Sequence, residues 1–213
     1  MKYPKILVIL FALFALMMPL LACSSKSSST VTTTSAQVKK WNSPPVMQID
    51  TSKQYTATIK TNLGDITIQL FANEDPLTVN NFVFLANQGF YVGVTFHRVL
   101  KGFVIQTGDP TGIGSGGPGY QFADEKVTRD YVTGTLAMAN SGPNTNGSQF
   151  FVCLADLSNQ LAKNYTIFGI VTGGMDVVQA IGNIPVKPNP NMGGEVSSPT
   201  QDVHINSVII TEQ

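Results

Sequence analysis

Phe96-His97-Arg98-Val99-Leu100-Lys101-Gly102-Phe103-Val104-Ile105-Gln106-Thr107-Gly108-Asp109 and Met138-Ala139-Asn140-Ser141-Gly142-Pro143-Asn144-Thr145-Asn146-Gly147-Ser148-Gln149-Phe150-Phe151 decide how this chain is read. Each stretch sets one or two hydrogen-bonding side chains among apolar and aromatic ones, and neither contains a nucleophile–base pair. A pocket built this way grips an uncharged, partly apolar group and offers it one strong donor, Arg98, whose guanidinium is always charged. That suits a reaction that moves no protons and breaks no covalent bond.

Working outward, Tyr55, Ala57 and Ile59 alternate with Thr56, Thr58 and Lys60. After a turn at Asn62-Leu63-Gly64, Ile66, Ile68 and Leu70 alternate with Asp65, Thr67 and Gln69. This period of two predicts a hairpin with one buried face. Further strands are expected at Phe96–Val99, Val104–Thr107, Gly134–Met138, Phe150–Cys153, Ile167–Val171 and Val203–Thr211. A helix is expected where Asp75 can cap, Pro76 fits the first turn, and Val79, Phe82, Val83 and Ala86 share a face, with Gly89 at its C-terminal end. A second, shorter helix is expected near Asp176–Ile181, and the Pro-rich stretch Pro185–Gln201 reads as a long final loop. Eight strands and two helices point to a closed or nearly closed antiparallel sheet, and spacing alone leaves barrel and sandwich both open.

The N-terminal end carries different information. Lys2 and Lys5 precede an apolar run from Ile6 to Ala22 that Pro19 interrupts. A charged start, a short apolar core and a small residue before a cut site make a secretory signal, and the run is marginal for a membrane span of about 20 residues. Leu20-Leu21-Ala22-Cys23 resembles the bacterial lipobox, in which the cysteine is lipidated and becomes the mature N-terminus. Two or more acyl chains would hold such a protein stably, whereas one is marginal. Ser24 to Ser35 is nearly all Ser and Thr and cannot bury enough apolar surface to fold. Disorder is expected through Lys39-Lys40, with Pro44-Pro45 stiffening the approach to the domain. The organisation expected is a signal peptide over 1–22, a lipidated Cys23 with a flexible tether over 23–50, and one domain over 51–213, held outside the cytoplasm by its lipid anchor.

Several function classes drop out. The 13 basic and 13 acidic side chains cancel without forming a patch or run, which argues against nucleic acid as a ligand. Once Cys23 is acylated, Cys153 is the single remaining cysteine and has no internal disulfide partner; within Phe150-Phe151-Val152-Cys153 it reads as a small hydrophobe. His97 and His204 are the only histidines, and no Cys/His/carboxylate cluster has metal-ligand spacing, so neither metal nor cofactor is expected. Of the two, His97 reads as structural, packed beside Arg98. Gly112-Ile113-Gly114-Ser115-Gly116-Gly117 superficially matches a dinucleotide loop, but Pro118-Gly119 follows where a helix is required.

Both opening stretches resemble, almost word for word, the signatures of cyclophilin-type peptidyl-prolyl cis/trans isomerases, and the resemblance extends over about residues 54–211. It implies a mainly β fold, a closed eight-stranded antiparallel barrel capped by two helices. It also implies that X-Pro bonds of proline-containing polypeptides are the substrate, with no covalent intermediate, and that the protein is a monomer. Residue by residue, Arg98 matches the catalytic arginine. Phe103, Val104, Phe151 and Leu161 match the wall that holds the proline ring. Gln106 and Asn140 match the groups that hold the substrate backbone, Asn140 chiefly through main-chain atoms, while Ala139 and Gln149 line the adjoining groove. There are departures: Val104 stands where many members have Met, and Tyr165 where many eukaryotic members have His. Gln160 stands where drug-sensitive members have Trp, across a one-residue gap, which implies weakened inhibition by cyclosporin. A binding module on the same fold with vestigial activity is the competing reading, and the presence of Arg98, Phe103, Gln106 and Phe151 together argues against it.

Overall fold

Strand β1 (Tyr55–Thr61) pairs antiparallel with β2 (Gly64–Leu70), with Ile59 opposite Ile66 and Ala57 opposite Ile68. Burial alternates along β1 residue by residue, as a strand with one face on the core requires. These strands belong to a computed structural model that describes residues 38–213. The signal sequence, Cys23 and the Ser/Thr-rich stretch therefore lie outside the described residues. After the hairpin come helix α1 (Pro76–Asn87), β3 (Arg98–Leu100), β4 (Val104–Thr107), β5 (Thr135–Met138), β6 (Phe150–Cys153) and β7 (Ile167–Gly173). Helix α2 (Met175–Gly182), β8 (Val186–Pro188), β9 (Val196–Pro199) and β10 (Ile205–Glu212) complete the chain. Among the described residues no helix is long and apolar enough to cross a membrane.

Eight of the strands form one antiparallel sheet in the order β10-β1-β2-β7-β5-β6-β4-β3. The expected closed barrel is not formed: the sheet is an open half-barrel whose edges are β3 and β10. At one end the edges touch, where Phe96 N–H donates to the Val203 carbonyl at 2.9 Å and Ile205 N–H to the Val94 carbonyl at 2.9 Å. Beyond that point they do not pair. Strand β3 is only three residues long, and β9 lies alongside it without joining its ladder. The hairpin β8–β9, with a short 3-10 turn at Pro190–Met192, lies within the stretch expected to be a plain loop.

The inner face of the sheet carries the main core. Phe82 of α1 sits edge-on to Phe150 at 5.5 Å between ring centroids and tilted against Phe168 at 5.5 Å, and Tyr91 meets Phe150 at 5.6 Å. Each such ring contributes about 1.5–3 kcal/mol by burial. Residues 38–50, assigned to the tether on composition, are docked on this domain. Trp41 packs edge-on against Phe84 at 5.2 Å and its backbone N–H donates to the Pro118 carbonyl at 2.8 Å. Asn80 of α1 accepts from Gln48 N–H at 2.8 Å and donates to the Val46 carbonyl at 3.0 Å. The Ser/Thr bias ends at Ser35, and the residues that follow supply both an aromatic anchor and backbone partners.

Helix α1 has the expected extent, but not the expected cap. Asp75 occupies the N-cap position and its side chain makes no capping bond. Glu125 caps instead, its two carboxylate oxygens accepting from Leu77 N–H at 3.0 Å and Thr78 N–H at 2.8 Å. Asp75 is thereby left 4 % exposed beside two carboxylates. Burial, then Glu125 and Glu74, push its carboxyl up to about 7. An unfolded Asp ionises near about 3.9, so the folded state holds this proton more tightly and loses stability as pH rises from about 4 to about 7. Asp75→Asn is expected to remove that loss. Thermal unfolding should show Tm raised at pH 8, equivalent to roughly 2–4 kcal/mol at about 1.4 kcal/mol per pKa unit, and little change at pH 4.

Candidate active site

Ladder register assembles the site. Arg98 on β3 lies opposite Gln106 on β4, and Gln106 lies opposite Phe151 on β6, so the three side chains leave the same, outer face of the sheet. Their chain neighbours Val99, Ile105, Phe150 and Val152 point the other way, into the main core. Gly108 at the end of β4 lets this segment pass close under the next one. Its φ is +89°, and a Cβ there would meet the Ser148 carbonyl oxygen at 2.3 Å. That close approach is what brings Gln149 to Gln106.

A line of polar contacts runs through these residues. Arg98 Nη1 donates to Gln106 Oε1 at 3.1 Å, and Gln106 Nε2 donates to Gln149 Oε1 at 3.0 Å. Gln149 Nε2 in turn donates to the carbonyls of Gly114 and Gly116 at 3.0 and 2.9 Å. The glycine loop is held in shape by the fully buried Asp109. Its carboxylate accepts from the Thr111, Gly114 and Gly116 N–H groups and from the Thr111 hydroxyl, all within 2.9 Å. Those bonds hold its carboxyl below the ordinary range despite burial. The loop is thus a structural backstop for Gln149.

On its other side Arg98 meets a residue that the sequence reading did not single out. Arg98 Nε donates to Glu195 Oε1 and Nη2 donates to Glu195 Oε2, both at 2.8 Å, a side-on two-point pair. The Arg98 guanidinium holds the Glu195 carboxyl below its usual value. Glu195 is 97 residues further along the chain, in the stretch expected to be a loop. A lone carboxylate among Gly, Asn and Pro gives no periodic signal that could have marked it.

Beside the polar line stands the apolar wall. Phe151, Val104, Ala137, Cys153 and Ile167 form a second cluster on the outer face, with Phe103, Ala139, Leu161 and Tyr165 packed against it. Phe151 and Tyr165 meet edge-on at 5.7 Å. Val104 is only 2 % exposed, so it backs the wall while Phe103, Leu161 and Tyr165 reach its surface. Tyr131 pins Tyr165 from behind, its hydroxyl donating to the Tyr165 carbonyl at 2.9 Å and accepting from the Tyr165 N–H at 3.0 Å. Gln160 is exposed at the rim. Asn140 donates its side-chain amide to the Asn164 carbonyl at 2.9 Å and lines the adjoining groove. Cys153 is fully buried, and burial pushes its thiol up to about 12. His97 is buried too, and burial lowers its imidazole pKa, so the ring is neutral filler beside Arg98.

A groove of about 570 Å3 runs next to this wall rather than over it. It shares Gln106, Ala139, Asn140 and Gln149 with the site, and Lys40 from the docked N-terminal segment adds a cation to its edge. The arrangement can seat a small apolar ring on the wall, align the flanking chain in the groove, and aim guanidinium N–H groups at the ring's amide.

The site is thus an arginine, a glutamine and an apolar wall on the outer face of an open antiparallel half-barrel. The family model for the cyclophilin-type peptidyl-prolyl cis-trans isomerases matches residues 56–210, and the chain belongs to this family. It is 44 % identical over 181 residues to peptidyl-prolyl cis-trans isomerase B of Streptomyces anulatus, covering 75 % of this chain and 98 % of that one. It is 46 % identical over 160 residues to the mouse peptidylprolyl isomerase domain and WD repeat-containing protein 1, covering 73 % of this chain but 24 % of the mouse protein. The chain therefore spans about a quarter of that relative's length. A cyclophilin type peptidyl-prolyl cis-trans isomerase of Cryptosporidium parvum, crystallised in the presence of the dipeptide Ala-Pro, superposes with a TM-score of 0.67 at 36 % identity, covering 74 % of this chain and 99 % of that one.

Tyr131→Phe tests how the wall is held. It keeps the ring but leaves the Tyr165 amide without its acceptor. Chemical denaturation should show a loss of about 1–3 kcal/mol, and the KM for a proline peptide should rise as Tyr165 loosens.

Proposed function

We propose that this chain accelerates cis/trans rotation of X-Pro bonds in polypeptides outside the cytoplasm, with Arg98 stabilising the twisted amide. The observation that carries this reading is the state of the Arg98 guanidinium. Of its five N–H donors, one goes to Gln106 and two to Glu195, which leaves two to act beside the apolar wall.

Rotation about an X-Pro bond faces a barrier of about 18–20 kcal/mol because the C–N bond has partial double-bond character. At the top of that barrier conjugation is lost and the prolyl nitrogen regains a lone pair. A donor directed at that nitrogen stabilises the twisted state more than the planar one, which is the condition for catalysis. Phe103, Phe151 and Leu161 hold the ring, Gln106 and the Asn140 main chain hold the flanking backbone, and the carbonyl side of the bond is free to turn. No proton is transferred and no covalent intermediate forms. Each 1.36 kcal/mol of differential stabilisation is about tenfold in rate. A charge-assisted hydrogen bond to that lone pair, at about 1.5–3 kcal/mol, therefore supplies about ten- to a hundredfold. The C. parvum relative was crystallised in the presence of the dipeptide Ala-Pro, which supports a proline-containing peptide as the ligand here.

Arg98→Ala is expected to lower the rate for a short Ala-Pro peptide at least tenfold. A modest loss of thermal stability should accompany it, because the variant leaves the half-buried Glu195 carboxylate without its partner. Equal rates for two folded proteins would refute the mechanism.

The setting is supported by the sequence at the N-terminal end, where Lys2, Lys5, the apolar run and Leu20-Leu21-Ala22-Cys23 form a lipoprotein signal. The mature chain is anchored to the membrane by acyl groups on Cys23 and acts as a monomer on folding envelope proteins. Detergent phase partitioning checks this. Wild type should enter the detergent phase, and Cys23→Ser should be released or keep its leader uncleaved.

A further inference from the structure

The connection between β8 and β9 delivers a carboxylate, that of Glu195, to the reacting arginine. We propose that Glu195 is a positioning residue, one that fixes the plane of the Arg98 guanidinium so that a remaining N–H donor is aimed at the prolyl nitrogen. This inference rests on the isomerase reading of the same site.

The geometry shows why such a residue is needed. Arginine carries about 2 kcal/mol of side-chain conformational entropy, and Gln106 holds Arg98 by a single contact of 3.1 Å on Nη1. One contact leaves the plane free to swing about it. Glu195 adds two contacts of 2.8 Å on Nε and Nη2, the edge of the guanidinium opposite Gln106's partner atom. A planar group held on two sides has one orientation. The contact is half-buried, with the two side chains 24 % and 33 % exposed, so it is screened less than a surface pair.

Glu195 is itself held firmly. Its carbonyl accepts from Asn189 N–H at 2.8 Å and its N–H donates to the Met192 carbonyl at 3.1 Å. Asn189, 5 % exposed, then ties the hairpin to the strand it serves: its Nδ2 donates to the carbonyl of His97, the residue before Arg98, at 3.3 Å. Its Oδ1 also caps the 3-10 turn by accepting from Asn191 N–H at 3.1 Å. At the hairpin base Thr200 N–H donates to the Pro185 carbonyl at 2.9 Å. Backbone and side chain thus place the carboxylate where it meets Nε and Nη2 together. Partial neutralisation of the guanidinium is the cost; direction is the gain, because the twisted amide offers one lone pair along one line.

The test is a steady-state comparison of full-length chains in detergent, using an Ala-Pro peptide. Glu195→Ala is expected to lower kcat about tenfold while KM changes less than twofold. Glu195→Gln, whose amide oxygen still accepts one N–H, should lose only about threefold. In an Arg98→Ala background Glu195→Ala should cause no further loss, since its effect runs through Arg98. Two results would overturn the proposal while leaving the isomerase reading intact. One is a Glu195→Ala kcat at or above wild type when Arg98→Ala alone is impaired. The other is an equal extra loss in the Arg98→Ala background, which would make the effect one of hairpin structure. If Arg98→Ala alone matched wild type, the mechanism itself would fall, which is a separate outcome.

Discussion

Along β4 and β6 successive side chains leave opposite faces of the sheet, and the rest of the molecule is arranged around that alternation. Ile105, Phe150 and Val152 enter the core under α1, where Phe82 and Tyr91 close on Phe150. Gln106, Phe151 and Cys153 take the other face, where a second, smaller apolar cluster stands partly open. A slip of one residue in β4 would turn Gln106 into the core, and one in β6 would turn Phe150 out of it. The site therefore inherits its rigidity from the core: the wall is backed, through one layer of backbone, by the buried rings of Phe82, Tyr91 and Phe150.

Charge is used sparingly and unevenly. Lys53–Glu212 and Arg129–Glu74 lie on the surface, where such pairs contribute between 0 and about 1 kcal/mol. Arg98–Glu195 differs in being half-buried, two-pointed and joined to a hydrogen-bonded row that ends in the Asp109 loop. At α1 a carboxylate again acts at a distance. Glu125 takes the cap, and Asp75, displaced from that role, keeps its proton near neutrality. In both places an acidic residue remote in sequence sets the behaviour of a group that local reasoning would have treated alone.

The edges of the half-barrel show how the site is reached. Because β3 ends the sheet, Arg98 has no strand beyond it, and the space is taken by β9 and the hairpin tip that carries Glu195. A strand closing the barrel at this edge would occupy the backbone of β3 and exclude the hairpin. The open edge and the carboxylate beside the arginine are thus two aspects of one arrangement.

Period-two patterning over Tyr55–Leu70, the helix pattern after Asp75 and the residues flanking Arg98 and Phe151 were legible in the chain itself. They report local periodicity and the identity of groups that meet across neighbouring strands. The wall residues Phe103, Leu161 and Tyr165 were legible through resemblance alone, since an apolar side chain near a turn looks the same whether it lines a site or a core. Tertiary structure alone decided that the sheet stays open, that Trp41 and Gln48 dock where a tether was expected, that Glu125 caps α1, and that Glu195 grips Arg98. Each of these joins residues far apart in the chain through a single ring or carboxylate. One isolated residue leaves no periodic trace in a sequence, and its partner is chosen only when the backbone has already been folded.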